Sequence, residues 1–261
     1  MVPKRGSSRI AWEKGSMALP DNPILSTLGA VVGETPEIQR IHQIIRVAAR
    51  TSHPILIAGE SGTGKEVIAR AIHLISTHSK ASFRVRSCMT IRSVDLEREW
   101  SPGASTARTL FLDDLEYLNV EVQGRLLQII EKAENIEDCQ SKYLVPHLIA
   151  ATSTDLREAV DAGSFRRDLY FRVTALTLKV PPLRERLADI PLLAGHFLSK
   201  RPDTSAKYQL SDAALHSLLA YSWPGNVREL KACLELACEA ATGPIISVSD
   251  LPSEIRGRQQ Q

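Results

Sequence analysis

The 261-residue chain is 43% hydrophobic and 24% charged, enough to bury the core of one large or two modest domains. Its formal net charge of +2 gives no general attraction to nucleic acid or membrane. Cys88, Cys139, Cys233 and Cys238 lack Cys-x2-Cys spacing, which excludes a zinc module and reads as four reduced thiols; no run of 18 apolar residues or signal-peptide core exists, so a cytoplasmic protein that does not engage a membrane is expected.

Residues 1–28 mix Lys4, Arg5, Arg9 and Lys14 with Gly, Ser and Pro and show no periodicity, the pattern of a flexible leader. Its charges can touch nucleic acid, but a solvated tail is the simpler reading. Thr35-Pro36 predicts an N-cap with proline at the first helical position, and Ile38, Ile41, Ile44, Ile45 and Ala48 form the helical stripe after it.

The apolar run Pro54-Ile55-Leu56-Ile57-Ala58 leads into Gly59-Glu60-Ser61-Gly62-Thr63-Gly64-Lys65-Glu66, and a helix is predicted over 66–75. Strand, glycine-rich loop and helix make a phosphate-binding loop. The glycines let backbone N–H groups converge on an anion, the helix adds its positive N-terminus, and Lys65 supplies charge for the β/γ-phosphates. The strict pattern wants Ser or Thr after the lysine for Mg²⁺, and here that position is Glu66. A ligand-free turn fits the loop taken alone. A second buried strand, Thr109-Leu110-Phe111-Leu112, ends in Asp113-Asp114, which sets two carboxylates at the strand edge where α/β sheets bind ligands. An aspartate there can hold the Mg²⁺ of a nucleotide. The pair makes ATP with Mg²⁺ the expected ligand.

Further strands are predicted at 83–85, 147–151 and 175–180, with a helix over 122–133 burying Val122, Leu126, Ile129 and Ile130. The alternating order calls for a mainly parallel sheet covered on both faces. After Pro181-Pro182 the chain reads as helices only, over 190–198, 211–220 with Ser211 as N-cap, and 226–241. Trp223-Pro224-Gly225 turns between the last two, and a short polar tail follows Pro252.

The local strings resemble one family in order: the sigma-54-dependent transcription activators, whose core is an AAA+ ATPase. They are the Gly59–Glu66 loop, Thr109-Leu110-Phe111-Leu112-Asp113, Phe165-Arg166-Arg167-Asp168-Leu169-Tyr170-Phe171-Arg172, Pro181-Pro182-Leu183-Arg184-Glu185-Arg186 with Asp189-Ile190-Pro191, and Trp223-Pro224-Gly225-Asn226-Val227-Arg228-Glu229-Leu230. The set spans about residues 30–252. The resemblance implies an α/β fold, a P-loop AAA+ parallel sheet domain (29–182) followed by a small all-α lid (183–252) and a tail (253–261). It implies that Gly59, Glu60, Ser61, Gly62, Thr63, Gly64, Lys65 and Glu66 bind nucleotide, that Gly33 lies near the adenine, and that Asp113 organises Mg²⁺. Arg166 and Arg172 would be arginine fingers reaching the next subunit of a homo- or hetero-oligomeric ring, and Arg228 the lid's sensor arginine. Arg172 as a surface ion-pair residue and Arg228 as inter-domain packing remain the alternatives.

The departures from the family pattern bear on activity. Only residues 89–108 separate Cys88 from Thr109, about half the usual span, and the Gly-Ala-Phe-Thr-Gly-Ala string that grips sigma-54 is absent. Asp114 stands where the family has its catalytic glutamate, Ser87 where it has an asparagine restraining that glutamate, and Ser153 where it has the sensor asparagine. Ångström-scale misplacement of a catalytic group costs around a hundredfold in rate. The expectation is therefore an ATP-binding domain in transcription regulation with weak or impaired hydrolysis and no direct sigma-54 remodelling. The alternatives are a non-hydrolysing, ATP-gated subunit of paralogous rings, or an ATPase remodelling another client. With no receiver domain before the core and no helix-turn-helix after the lid, specific DNA binding by this chain alone is not expected.

Overall fold

The computed structural model describes residues 31–77, 79–100, 107–134, 146–200 and 208–256. The predicted leader and Cys139 lie outside them. Helix α1 (Pro36–Ala48) precedes strand β1 (Ile55–Ala58), followed by α2 (Lys65–Ile75), β2 (Ser82–Ser87), α3 (Ser93–Trp100) and β3 (Ala107–Asp113). Then come α4 (Val120–Glu134), β4 (His147–Thr152), α5 (Leu156–Asp161), α6 (Arg167–Val173) and β5 (Leu176–Lys179). The five strands form one sheet in the order β2-β3-β4-β1-β5, and every pairing is parallel.

Side-chain alternation splits the core into two layers. Ile55, Ile57, Phe111, Ile149, Ala151 and Leu178 face α1 and α2, where Ile38, Ile41, Ile45, Ile68 and Ile72 are buried. Leu56, Leu110, Leu112, Leu148 and Ala150 face the other way, onto Leu96 of α3, Leu126 and Ile130 of α4 and Leu169 of α6. Both faces are covered, which is why these strands read as continuous apolar runs.

A third core holds the C-terminal part together. Helices α7 (Ile190–Ser199), α8 (Asp212–Ala220), α9 (Asn226–Ala240) and α10 (Ser253–Arg256) bury Leu193, Leu218, Trp223, Leu230, Leu234 and Ile255. Ser211 caps α8 by accepting from the Ala214 N–H at 3.2 Å, as expected. The all-helical reading needs correction, because β6 (Gln209–Leu210) pairs in parallel with β7 (Ile245–Ile246). Two residues are too few to show a strand period. The tail is corrected as well, since Ile255 of α10 is buried.

Segment 89–108 is not simply a shortened loop. Glu99 on α3 is buried and receives Arg84 Nη1 at 3.1 Å and Arg86 Nη2 at 2.6 Å from β2, which pins the helix to the sheet edge. The Ser101–Ser105 stretch lies outside the described residues.

Candidate functional site

The carboxyl ends of β1, β4 and β3 lie side by side, so whatever follows them in the chain meets at one edge. The loop after β1 turns through Gly62 (φ 79°) and Gly64 (φ 101°), conformations that side chains with a Cβ rarely adopt, and delivers Lys65 to the start of α2. Lys65 is 92% buried at a relative exposure of 8%. Its Nζ donates back to Gly59 O at 2.7 Å and Glu60 O at 3.2 Å. Burial lowers its pKa, opposed first by Asp113 and then by Glu116 and Asp114. Asp113 itself is pushed up, by burial first and next by the neighbouring Asp114 carboxylate. The loop, Lys65 and Asp113 thus meet as the sequence pattern requires.

A cavity of about 1030 Å³ opens above them, lined by Ser61, Gly62, Gly64, Lys65, Glu66, Asp113 and Asp114 on the sheet side. Its far wall is built from α7 and α9, including Phe197, Arg228, Lys231 and Cys238. A volume at the upper end of the range for small-molecule sites accommodates a nucleotide. Among the described residues no group of three His, Cys, Asp or Glu side chains can hold a metal by itself. A Mg²⁺ bound through Asp113 would therefore draw its other ligands from phosphate oxygens and water.

The lid is fastened to the loop at several points. Glu60 accepts two bonds from Arg184, at 2.7 and 2.6 Å, and a third from Asn226 Nδ2 at 3.2 Å. Asn226, fully buried, also donates to Ser61 O at 3.0 Å and accepts the Leu183 N–H at 2.8 Å. Arg186 Nη2 donates to Thr63 O at 3.1 Å. The Arg228 N–H bonds Gly62 O at 3.2 Å, and its guanidinium reaches Ser61 Oγ at 3.2 Å. Arg228 therefore sits at the cavity wall and also joins the domains.

Gly33 lies away from that wall. A Cβ there would stand 2.7 Å from Asp189 Oδ2, whose carboxylate takes the Glu34 and Thr35 N–H groups at 2.7 and 3.1 Å. Thr35 Oγ1 also donates to Asp189, at 2.8 Å, so Thr35 occupies the N-cap position of α1 without capping it by its side chain. Arg166 and Arg172 are on the outer surface. Arg166 pairs with Asp168 at 2.7 Å, while Arg172 bonds Glu131 at 3.1 Å and also Glu134. Ser87 accepts the Met89 N–H at 3.3 Å, and Ser153 donates to Glu116 through both its N–H and its hydroxyl. Sequence reasoning named Arg184, Asp189 and Asn226 only as family strings and passed over Glu116. The acid-rich run Asp113-Asp114-Leu115-Glu116 was the available signal for it.

Residues 32–183 match the family described as sigma-54 interaction domain, and residues 184–261 match the AAA+ ATPase lid domain. The chain is 36% identical to the transcriptional regulatory protein ZraR of Klebsiella oxytoca over 92% of this chain and 59% of that protein. It is 37% identical to the Nif-specific regulatory protein of Azotobacter vinelandii over 78% of this chain and 43% of that protein. The chain thus spans about half the length of the curated relatives it matches. Among solved structures, NtrX from Brucella abortus in complex with ATP superposes with a TM-score of 0.73 at 27% identity, covering 86% of this chain and 54% of that one.

Proposed function

Since the chain belongs to the sigma-54 interaction domain family of AAA+ ATPases, we propose that it binds Mg-ATP between the Gly59–Glu66 loop and the lid and hydrolyses it slowly in a transcription-regulatory assembly. The observation that carries this reading is Lys65, buried at the head of α2 with its ammonium, among the described residues, bonded to carbonyls of its own loop alone. A phosphate oxygen is a stronger partner for an ammonium than a neutral carbonyl, so Lys65 exchanges Gly59 O and Glu60 O for the β/γ-phosphates. The N–H groups around Gly62 and Gly64 hold the same oxygens. Asp113, which lines the cavity beside Asp114, would hold Mg²⁺, and the ion would offset the charge of the phosphates. The adenine contact that the family resemblance implies for Gly33 would require the nucleotide to extend beyond this cavity toward the Asp189 junction. Arg228, bonded to Ser61 and Gly62, carries the state of the phosphates into α9.

Arg166 and Arg172 act on a neighbouring subunit's phosphates, which makes a homo- or hetero-oligomeric ring the working form. Client engagement through sigma-54 is not part of this reading. The sequence lacks the Gly-Ala-Phe-Thr-Gly-Ala string, and the described part of 89–108 is spent on packing α3 to the sheet.

A second reading, an ATP-gated subunit that joins paralogous rings without turnover, draws support from the fingers themselves. Both are held in ion pairs within their own chain. Phosphate release from Mg-ATP over a range of protein concentrations separates the two. Turnover rising faster than linearly with protein supports self-assembled catalytic sites. ATP binding without turnover at any concentration supports the gated subunit, and absence of ATP binding defeats both.

A further inference from the structure

Glu116 follows β3 by three residues and belongs to neither the loop nor the lid. Asp114 adopts the left-handed conformation (φ 58°, ψ 52°), uncommon for a residue with a side chain, and the chain then enters a tight 3-10 turn, Leu115–Tyr117. That turn swings Glu116 across the end of β4. There its Oε1 accepts the Ser153 N–H at 3.0 Å and the Ser153 hydroxyl at 2.9 Å. Oε2 is buried and has no hydrogen-bond partner among the described residues.

The sheet order fixes where this carboxylate lies. Ser153 directly follows β4, and β4 stands between β3, which ends in Asp113, and β1, which leads into the Lys65 loop. Consistent with that place, Glu116 counters the burial that lowers the Lys65 pKa, and after burial itself it pushes up the Cys88 thiol at the end of β2. Glu116 therefore belongs to the strand-end edge that carries Asp113 and the phosphate-binding loop. A buried carboxylate oxygen without a donor is costly, and such a group calls for an explanation, a catalytic role or a water that donates to it among them. Asp114 reaches one methylene less far, and its left-handed backbone serves the turn.

We infer that Glu116, anchored by Ser153, is the carboxylate that receives the proton of the attacking water in this site. The inference rests on the ATP-hydrolysing reading above. In the step, the water oxygen bonds to the γ-phosphorus as the bond to the β–γ bridging oxygen breaks, with its electron pair leaving on ADP. The water's proton passes to Glu116 Oε2 and from there to solvent, and inorganic phosphate is released. Ser153 is a positioning residue: its two donors hold Oε1 so that Oε2 is the oxygen presented.

The test measures ATP affinity by calorimetry, steady-state turnover and thermal unfolding for the whole chain and for Glu116→Gln, Asp114→Asn, Ser153→Ala and the Glu116→Gln/Ser153→Ala pair. Glu116→Gln keeps the shape and an oxygen for Ser153. Its expected result is a fall in kcat of about a hundredfold, the lower end of the range for acid–base groups, with ATP affinity within about twofold and the unfolding midpoint unchanged. Asp114→Asn loses less, and the double variant falls no further than Glu116→Gln alone. Unchanged turnover in Glu116→Gln, or a larger loss in Asp114→Asn, overturns the inference and leaves the ATP reading standing. Wild-type protein that binds ATP without turnover overturns it as well. Wild-type protein that fails to bind ATP overturns both.

Discussion

Glu60 in the phosphate-binding loop and Arg184 in the lid lie 124 residues apart in sequence and meet through two bonds of 2.6 and 2.7 Å. The Arg184 guanidinium, with Asn226 adding to it, holds the Glu60 carboxyl down at about 2, from an ordinary value of 4.5. A carboxyl whose folded-state pKa is depressed contributes stability above its unfolded pKa and loses it as pH falls through the folded one. Both side chains are more than one-third exposed, so solvent screens the pair and its contribution is small. Glu60→Gln is expected to lower urea-unfolding stability slightly at pH 7, with the gap from wild type narrowing below pH 4.5 toward pH 2. A gap that stays constant across that window would show that the contact is not electrostatic.

At Gly62 the loop backbone packs directly against the lid, where Gly62 O accepts the Arg228 N–H at 3.2 Å. A Cβ added there would stand 2.2 Å from Gly225 O, with φ already at 79°. Gly62→Ala is expected to cost about 2 kcal/mol or more, combining left-handed strain with displacement of the lid. A Cβ on Gly64 meets nothing within 4 Å, so Gly64→Ala carries the backbone strain alone and should unfold at a higher temperature than Gly62→Ala. Equal midpoints would mean the lid is not seated as described.

Lys65→Ala removes the one ammonium at the head of α2. Charge-assisted bonds are worth about 1.5–3 kcal/mol each, so ATP affinity measured by calorimetry should fall about a hundredfold. Glu60 O keeps its bonds from the Thr63 N–H and hydroxyl, so the cost to the fold is expected to be small. Intact affinity in this variant would remove the phosphate-binding role from the loop.

The two candidate fingers predict a property of the assembly and not of the single chain. Arg166→Ala and Arg172→Ala should each lower turnover by about 10³ at protein concentrations that support assembly, with ATP affinity unchanged. Glu131→Gln combined with Glu134→Gln releases Arg172 from its own α4, and should raise turnover at low protein concentration. Wild-type rates in both arginine variants would restrict these residues to surface ion pairing.

The sheet and its ligand edge were legible because buried parallel strands leave uninterrupted apolar runs and the loop's glycines are forced by backbone geometry. Val122, Leu126, Ile129 and Ile130 are all buried on α4 as the helical period predicts. Ile44 of α1, assigned to the same stripe as Ile41 and Ile45, is only half-buried at the edge of its face. What stayed hidden depends on partners distant in sequence. Thr35 reads as a cap, but its hydroxyl goes to Asp189, 154 residues on. Glu116 reads as one more surface acid until the end of β4 supplies Ser153. Neither β6 nor β7 has meaning alone, since each exists only through the other.

That small pairing shapes how the lid can move. By joining residues 209–210 to 245–246 it closes the lid's chain into a loop containing α8 and α9. Helix α9, 15 residues and about 22 Å long, has Arg228 against the phosphate-binding loop at one end and the β7 strand a few residues beyond the other. A displacement of Arg228 along this helix is therefore expected to reach the β6–β7 edge across only the four residues 241–244. A spectroscopic label placed near Ile245, more than half exposed there, would read nucleotide state from outside the site.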